Sequence, residues 1–298
     1  GDHLSLLAGL YDLNTEFDVL QTASLFLNSS HGIGAEFGQS GANGPSIFPV
    51  TSLGLRLRAV PDPHLYLQAA VLDGVPGPPG GGRATSIHLS GREGVLLAAE
   101  IGMTHVPGDE EPVPVGAHHR ARHERVGRQG GGPHQNKFAV GAWAYTEPAA
   151  SIVSGAAGST ARDRGAYVMA ESMLGTHRDD PHRGLSAFLR AGIAAPGVNV
   201  FSSYIGAGLV YSGPFTQEDR DQLGLAAARA HAGDPWVRSV RSMGGDPSAA
   251  ETSLEMTYSC ELSSRLVVQG DLQYVLDPGA SATRPDALVA LLRFRFIL

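Results

Sequence analysis

Polar and apolar residues alternate along most of this chain, and that alternation is the pattern of β-strands. In the stretch AETSLEMTYSCELS, residues 250–263, every second position from Glu251 to Glu261 is polar, and the positions between them are mostly apolar. Because successive side chains of a strand point to opposite faces, this stretch predicts a strand with one polar and one apolar face. It exceeds the usual strand length of about 5 to 6 residues. Its length suits a strand that crosses a bilayer at a tilt.

The same alternation predicts about twelve strands. The connections between them alternate between short turns and long loops. The short turn Pro61-Asp62-Pro63 contrasts with the long connection at about 14–50. Such asymmetry is typical of outer-membrane barrels. The predicted strands are 3–12, 52–60, 64–74, 95–105, 136–147, 165–174, 185–195, 203–213, 223–233, 249–263, 265–276 and 287–298.

We interpret residues 1–298 as one all-β domain, because the strand rhythm contains no interdomain linker and no other repeat. One segment, at about 106–135, is of low complexity and falls where a short turn is expected. We predict that it is a mobile insert. Its histidines His118, His119 and His123 are better explained by a solvated segment than by a metal site, because no recognised ligand spacing accompanies them.

Composition bears on which solvent the apolar faces meet. Charged residues make up 17% of the chain, below the roughly 25% of typical soluble domains. No apolar run approaches the roughly 18 residues of a membrane-spanning helix. A chain that crosses a membrane with strands must pair its backbone in a closed barrel. A soluble β-sandwich that binds saccharide also alternates, and it stays an alternative.

Charge and chemistry exclude several classes of function. A net charge of −7 argues against nucleic acid as a partner. Cys260 is the only cysteine, so there is no disulfide framework. Hydrolase, phosphate-binding and metalloprotease motifs are missing from the sequence. We therefore predict no enzymatic activity, no cofactor and no metal.

Arginines within the predicted strands indicate where water lies. In SLGLRLRAV, three leucines share one face and Arg56 and Arg58 share the other. An arginine that faced lipid at the bilayer midplane would cost roughly 2 to 4 kcal/mol. We therefore predict a wet lumen lined by Arg56, Arg58, Arg190, Arg293 and Arg295. We expect Trp143 and Tyr145 to lie in the aromatic belt at the membrane interface rather than at a sugar site.

Residues 6–58, 66–77 and 251–279 resemble the carbohydrate-selective porin family, the OprB-like outer-membrane channels. The resemblance implies an antiparallel transmembrane β-barrel in the bacterial outer membrane that admits small neutral sugars such as glucose by passive, facilitated diffusion. It also implies that the loop at about 14–50 folds inward as a constriction. Family barrels have about sixteen strands, so about twelve strands suggest a truncated version. A homo-oligomer is left open.

A sugar offers hydroxyl groups that donate and accept hydrogen bonds, so a selective constriction needs forked donors and carboxylate or amide acceptors. We predict that the pore wall supplies them from Arg56, Arg58, Glu100, Glu255, Asp271, Arg293 and Arg295. From the constriction loop we predict Asn28, Glu36, Phe37, Gln39 and Asn43. The alternative is a general diffusion porin without sugar selectivity, in which the wall charges only hydrate the lumen.

Overall fold

The computed structural model describes residues 3–77, 92–105, 136–152, 159–177, 180–216 and 220–297, and the side chains of all of these except 180–182. Twelve long strands form one antiparallel sheet in the order β1-β2-β3-β4-β5-β8-β9-β10-β11-β12-β13-β14. They are β1 (Leu4–Tyr11), β2 (Ser52–Asp62), β3 (Leu65–Asp73), β4 (Val95–His105), β5 (Asn136–Tyr145), β8 (Arg164–His177), β9 (Asp180–Ala194), β10 (Phe201–Ser212), β11 (Asp221–Ala232), β12 (Ala250–Ser263), β13 (Leu266–Leu276) and β14 (Ala287–Phe296).

The all-β prediction is confirmed, and each of the twelve predicted strands is present. In the described part of the chain the sheet is not closed, because β1 and β14 form its two edges. A separate two-stranded ribbon pairs β6 (Ala149–Ala150) with β7 (Thr160–Ala161). The helices in the described residues are α1 (Ala35–Gly38), α2 (Asp234–Ser242) and the 3-10 turns Leu13–Thr15, Thr22–Leu25 and Ser29–His31. None of the helices in these residues is long and apolar enough to cross a membrane.

The two faces of the sheet differ sharply in what they present. On β12, Ser253, Glu255 and Thr257 are buried, whereas Leu254 and Met256 are exposed by 46% and 48%. The same exposed apolar face continues across the sheet, from Leu6 on β1 to Phe294 on β14. A sandwich would bury such a face against a second large sheet, and the described residues form no such sheet. The exposed face therefore fits lipid rather than water.

The five predicted strand arginines share the polar face, as expected, but only three of them are partly exposed there as a wet lumen would require. Arg56 and Arg190 are buried on the inner side. The other three are half-buried there: Arg58 lies on β2, and Arg293 and Arg295 lie on β14, where the flanking leucine and phenylalanines are exposed. We use "inner" for this polar face below.

The connections at the two rims of the sheet differ in length. Long connections at 12–51, 146–163 and 233–249 leave one rim, and the short turn at 263–265 leaves the other. The predicted insert at 106–135 lies outside the described residues.

Residues 12–51, which we call the inner loop, fold back from β1 against the inner face of the sheet. Leu13, Phe17 and Phe37 of this loop are fully buried. They join one hydrophobic cluster with wall residues that include Leu96 of β4 and Met169 of β8. The inner face is therefore covered by protein over much of its width rather than open to water.

The prediction for Trp143 and Tyr145 is wrong. Both side chains are buried on the inner face, at 3% and 6% exposure. Phe37 of the inner loop stacks on Trp143, with ring centroids 4.9 Å apart and planes within 4°. Small apolar residues occupy both faces of β5, so alternation could not tell which face is outward. The outward positions belong instead to Phe138 and Val140.

Candidate functional site

A buried double ion pair holds two parts of the inner loop to the wall. Arg190 of β9 donates to both carboxylate oxygens of Asp18, at 2.7 and 2.6 Å, and to both of Glu36, at 3.2 and 2.8 Å. All three side chains are at most 3% exposed. A forked guanidinium that meets two carboxylates in this way fixes both distance and direction. The start of the loop and α1 are thereby tied to one point on β9.

A second ion pair holds the beginning of the loop to β2. Arg56 donates to the two carboxylate oxygens of Glu16 at 2.7 and 2.9 Å, and to the hydroxyl of Ser5 at 2.6 Å. The hydroxyl of Tyr11 also donates to Glu16, at 2.6 Å. The guanidinium is thus occupied by the loop and by β1.

Four carboxylates, which we call the carboxylate anchors, accept hydrogen bonds from backbone N–H groups of the inner loop. Charge-assisted bonds of this kind are roughly twice as strong as neutral ones. Together they fix the loop at four separate points along its path. The pairs are Glu100 with Asp18 at 2.9 Å, Glu171 with Thr22 at 2.7 Å, Glu255 with Leu27 and Asn28 at 2.6 and 3.1 Å, and Asp163 with Gly41 at 2.7 Å.

Other wall side chains donate to backbone carbonyls of the same loop. The Lys137 ammonium donates to Val19 at 2.7 Å. The Gln269 amide donates to Leu25 at 2.8 Å, and the Tyr204 hydroxyl donates to Ser30 at 2.6 Å. The wall therefore satisfies both donors and acceptors of a backbone that is not in a helix or sheet, as a buried segment requires.

Burial changes the proton affinity of the loop's ionisable groups. Burial raises the pKa of Glu36, and the paired Arg190 only partly offsets it, so this pKa lies above its ordinary value. For Glu16, burial also acts upward, but the bonds from Arg56 and Tyr11 outweigh it and hold the pKa below its ordinary value. Burial lowers the pKa of His31 to about 4. His31 is therefore neutral near pH 7, although Glu255 lies 3.6 Å from its Nε2.

The structure divides the predicted wall residues into two groups. Arg56, Glu100 and Glu255 are buried beneath the inner loop and bind its atoms, and Asp271 is buried beside them, accepting from Gln273 at 2.8 Å. The second group, Arg58, Arg293 and Arg295, is half-buried on the inner face. All three lie on the half of the sheet nearer the short turns, because β2 and β14 both end at that rim.

The predicted loop residues also divide. Glu36 and Phe37 point into the wall and are buried. Asn28 is half-buried and donates to Gln273 at 3.1 Å. Gln39 and Asn43 are exposed. Whether any of these residues binds sugar stays a prediction.

Sequence reasoning missed the partners that the wall residues find in the loop. Asp18, Glu16 and His31 were not singled out, and neither were Glu171 and Lys137. For Glu171 and Lys137 the sequence carried a weak signal, because both are ionisable residues inside predicted strands. Among the residues that the structure describes, no group of three His, Cys, Asp or Glu side chains could hold a metal ion.

Comparison with known proteins identifies the family of this arrangement. A family model described as "Carbohydrate-selective porin, OprB family" matches residues 1–298. The chain belongs to the OprB family of carbohydrate-selective porins. The family's proteins lie in the outer membrane, and this chain is an outer-membrane protein with a β-barrel type of fold.

A curated relative is similar over most of this chain. Porin B of Pseudomonas aeruginosa is 26% identical over 280 residues, which cover 84% of this chain and 56% of that protein. The chain thus spans just over half the length of this curated relative.

The solved structures share the fold. The high-pH structure of Pseudomonas putida OprB superposes with a TM-score of 0.78 at 21% identity, covering 99% of this chain and 69% of that one. The low-pH structure of Pseudomonas putida OprB gives 0.54 at 15% identity, covering 99% and 62%.

Proposed function

We propose that this OprB-family chain passes small neutral sugars such as glucose across the outer membrane by facilitated diffusion. The observation that carries the proposal is the inner loop, which the carboxylate anchors and Arg190 hold against the inner face. A loop fixed in this position narrows the space beside it without needing to move. Family membership supports the choice of sugar as the solute.

The solute contacts that we propose are the polar groups on the inner side that the loop leaves accessible. Arg58 is half-buried, lies over the ring of Tyr66 at 4.4 Å and donates to Gln68 at 2.8 Å. Arg293 and Arg295 offer further guanidinium donors on β14. On the loop, Gln39 and Asn43 add amides that both donate and accept.

The buried residues Arg56, Glu100 and Glu255 act in this proposal by positioning the loop. Their polar atoms are already bonded to it, so a sugar could reach them only by displacing the loop. Solute binding at the accessible residues should be weak, because a channel must release what it binds. The concentration gradient alone drives transport, and no covalent step is involved.

Liposome swelling tests the proposal. The purified protein is reconstituted in liposomes, and swelling is followed in isosmotic glucose and in an isosmotic neutral amide of similar size. We expect faster swelling in glucose. Equal rates in the two solutes would instead support a general diffusion porin, and no swelling above empty liposomes would contradict a diffusion channel of either kind.

A further inference from the structure

A groove of about 720 Å³ lies on the outward, lipid-facing side of the sheet, across β9 to β14. Its position follows from the sizes of the outward residues. Ala187, Ala207 and Ala227 form a low region, and larger residues such as Leu209 and Leu254 surround it. The lining is almost wholly apolar. The groove is continuous with the exposed apolar face that meets the membrane.

Arg229 stands at one end of this groove, on the opposite face of the sheet from the five inner arginines. It is exposed on the outward face of β11, two residues beyond Ala227 toward the long-connection rim. In the sheet it lies between Ile205 and Thr252, one outward row above the row of Ala207, Ala227 and Leu254. The Cα atom of Arg229 is therefore one step, about 7 Å, from that of Ala227 in the groove.

The described part of the chain leaves the charge of Arg229 uncompensated. Its guanidinium donates to the Thr252 hydroxyl at 3.0 Å and makes no ion pair with any described carboxylate. The residue lies three positions before β11 ends at Ala232, and its partner Thr252 lies two positions after β12 begins at Ala250, so both lie nearer the long-connection rim than the middle of the sheet. An exposed cation near that rim is complementary to a lipid phosphate.

We propose that the groove and Arg229 together form a binding site for one phosphate-bearing membrane lipid. An acyl chain fills the alanine-floored groove, and the headgroup phosphate accepts hydrogen bonds from the Arg229 guanidinium. In the groove the acyl chain contacts more apolar surface than it would on a flat wall. The phosphate gives the guanidinium the anionic partner that the described residues lack. The site does not depend on which solute passes through the lumen.

Native mass spectrometry of the detergent-solubilised protein tests this site. Phosphatidylglycerol is titrated against phosphatidylcholine with the same acyl chains, and glycerol phosphate is added as a headgroup without chains. We expect one phosphatidylglycerol to be retained preferentially, and glycerol phosphate not to displace it. Arg229→Gln should weaken this retention about five-fold, the effect of one arginine near a charged surface.

Two further variants separate the parts of the site. Ala227→Trp fills the groove and should weaken retention of both lipids, whereas Arg229→Gln should weaken only that of phosphatidylglycerol. Arg265→Gln, at an exposed position on the opposite rim, is the matched control and should bind as wild type does. Circular dichroism confirms that each variant is folded. Unchanged retention in Arg229→Gln, or in Ala227→Trp, would overturn the proposal, as would an equal effect of Arg265→Gln.

Discussion

The polar side chains on the inner face form hydrogen bonds mainly with the inner loop. Glu255, for example, accepts from Leu27 and Asn28, which precede it by more than two hundred residues in the chain. Alternation predicts the face on which such a residue lies, because the period of a strand is exactly two. It cannot predict what covers that face. The side of the five inner arginines was therefore predictable from the sequence, whereas the anchoring of the loop was not.

The Arg190–Glu36 contact is tight enough to be disturbed by one methyl group. A β-carbon on Gly192 would overlap Oε1 of Glu36 and lie 3.2 Å from Nη1 of Arg190. We expect Gly192→Ala to displace the Glu36 carboxylate and lower the free energy of unfolding by about 2 kcal/mol. Denaturant unfolding in detergent measures this. Gly270→Ala is the control, because a β-carbon there has no atom within 4 Å. Equal losses in both variants would contradict the expectation.

His31 makes docking of the loop sensitive to acid. Its pKa is about 4 in the docked loop and 6.5 ordinarily, so the undocked state binds more protons between these values. The contribution of His31 to docking should therefore fall by up to about 3 kcal/mol as pH falls from about 6.5 to about 4, and should be constant above that range. The charged groups that face the imidazole are Glu255 at 3.6 Å and Asp271.

Thermal unfolding followed by near-ultraviolet circular dichroism checks the effect of His31, because the loop covers Trp143. The wild-type midpoint should fall more between about pH 7 and about pH 4.5 than that of His31→Gln, which has no group to titrate in that range. The same fall in both proteins would assign the acid sensitivity to other groups.

At the scale of elements, the long strands were predictable and the connections were not. Each strand has enough alternating residues to outweigh local ambiguity. Helix α2 follows Gly233 with Pro235 in its first turn, which is a helix start signal. Alternation alone assigns no element to residues 234–248, so the helix was not predicted. The short helical turns of the inner loop are set by their contacts with the wall, so local sequence carries little information about them.

Stacking of Phe37 on Trp143 should hold the inner loop as an element. Phe37→Ala removes a fully buried ring and should cost about 3 kcal/mol, so the loop should leave the wall more often. Proteinase K should then cleave within residues 12–51 faster than in the wild type. The control is Phe48→Ala in the same loop, since Phe48 is 77% exposed. Cleavage of both variants at the wild-type rate would show that this stacking does not fix the loop.

At the scale of the whole molecule, one sheet presents an exposed apolar face on one side and a polar face covered by the inner loop on the other. This orientation was predictable, because strand length, low charge and inward arginines all agreed. The path of the inner loop was not, since it depends on contacts between residues far apart in the chain. The predictions of about twelve strands and of an outer-membrane location are both confirmed.

The outward face should tolerate charge according to depth. Val140 lies at the middle of β5 and is exposed, so Val140→Arg should cost about 2 to 4 kcal/mol on folding into vesicles. Met103 is also outward but lies two residues from the end of β4, so Met103→Arg should cost about 1 kcal/mol or less. The folded fraction in vesicles, read from electrophoretic mobility without heating, measures both. Equal costs would contradict the assignment of this face to lipid.

The most direct test of the sugar-passing channel is single-channel current in a planar bilayer while glucose is titrated. We expect discrete conductance steps that glucose blocks saturably, because in the proposed channel guanidinium and amide groups beside the inner loop would bind the sugar. Substituting Arg58→Ala should weaken the block roughly three- to ten-fold, the effect of losing one hydrogen bond. Conductance steps that glucose leaves unchanged would contradict a saccharide-binding passage.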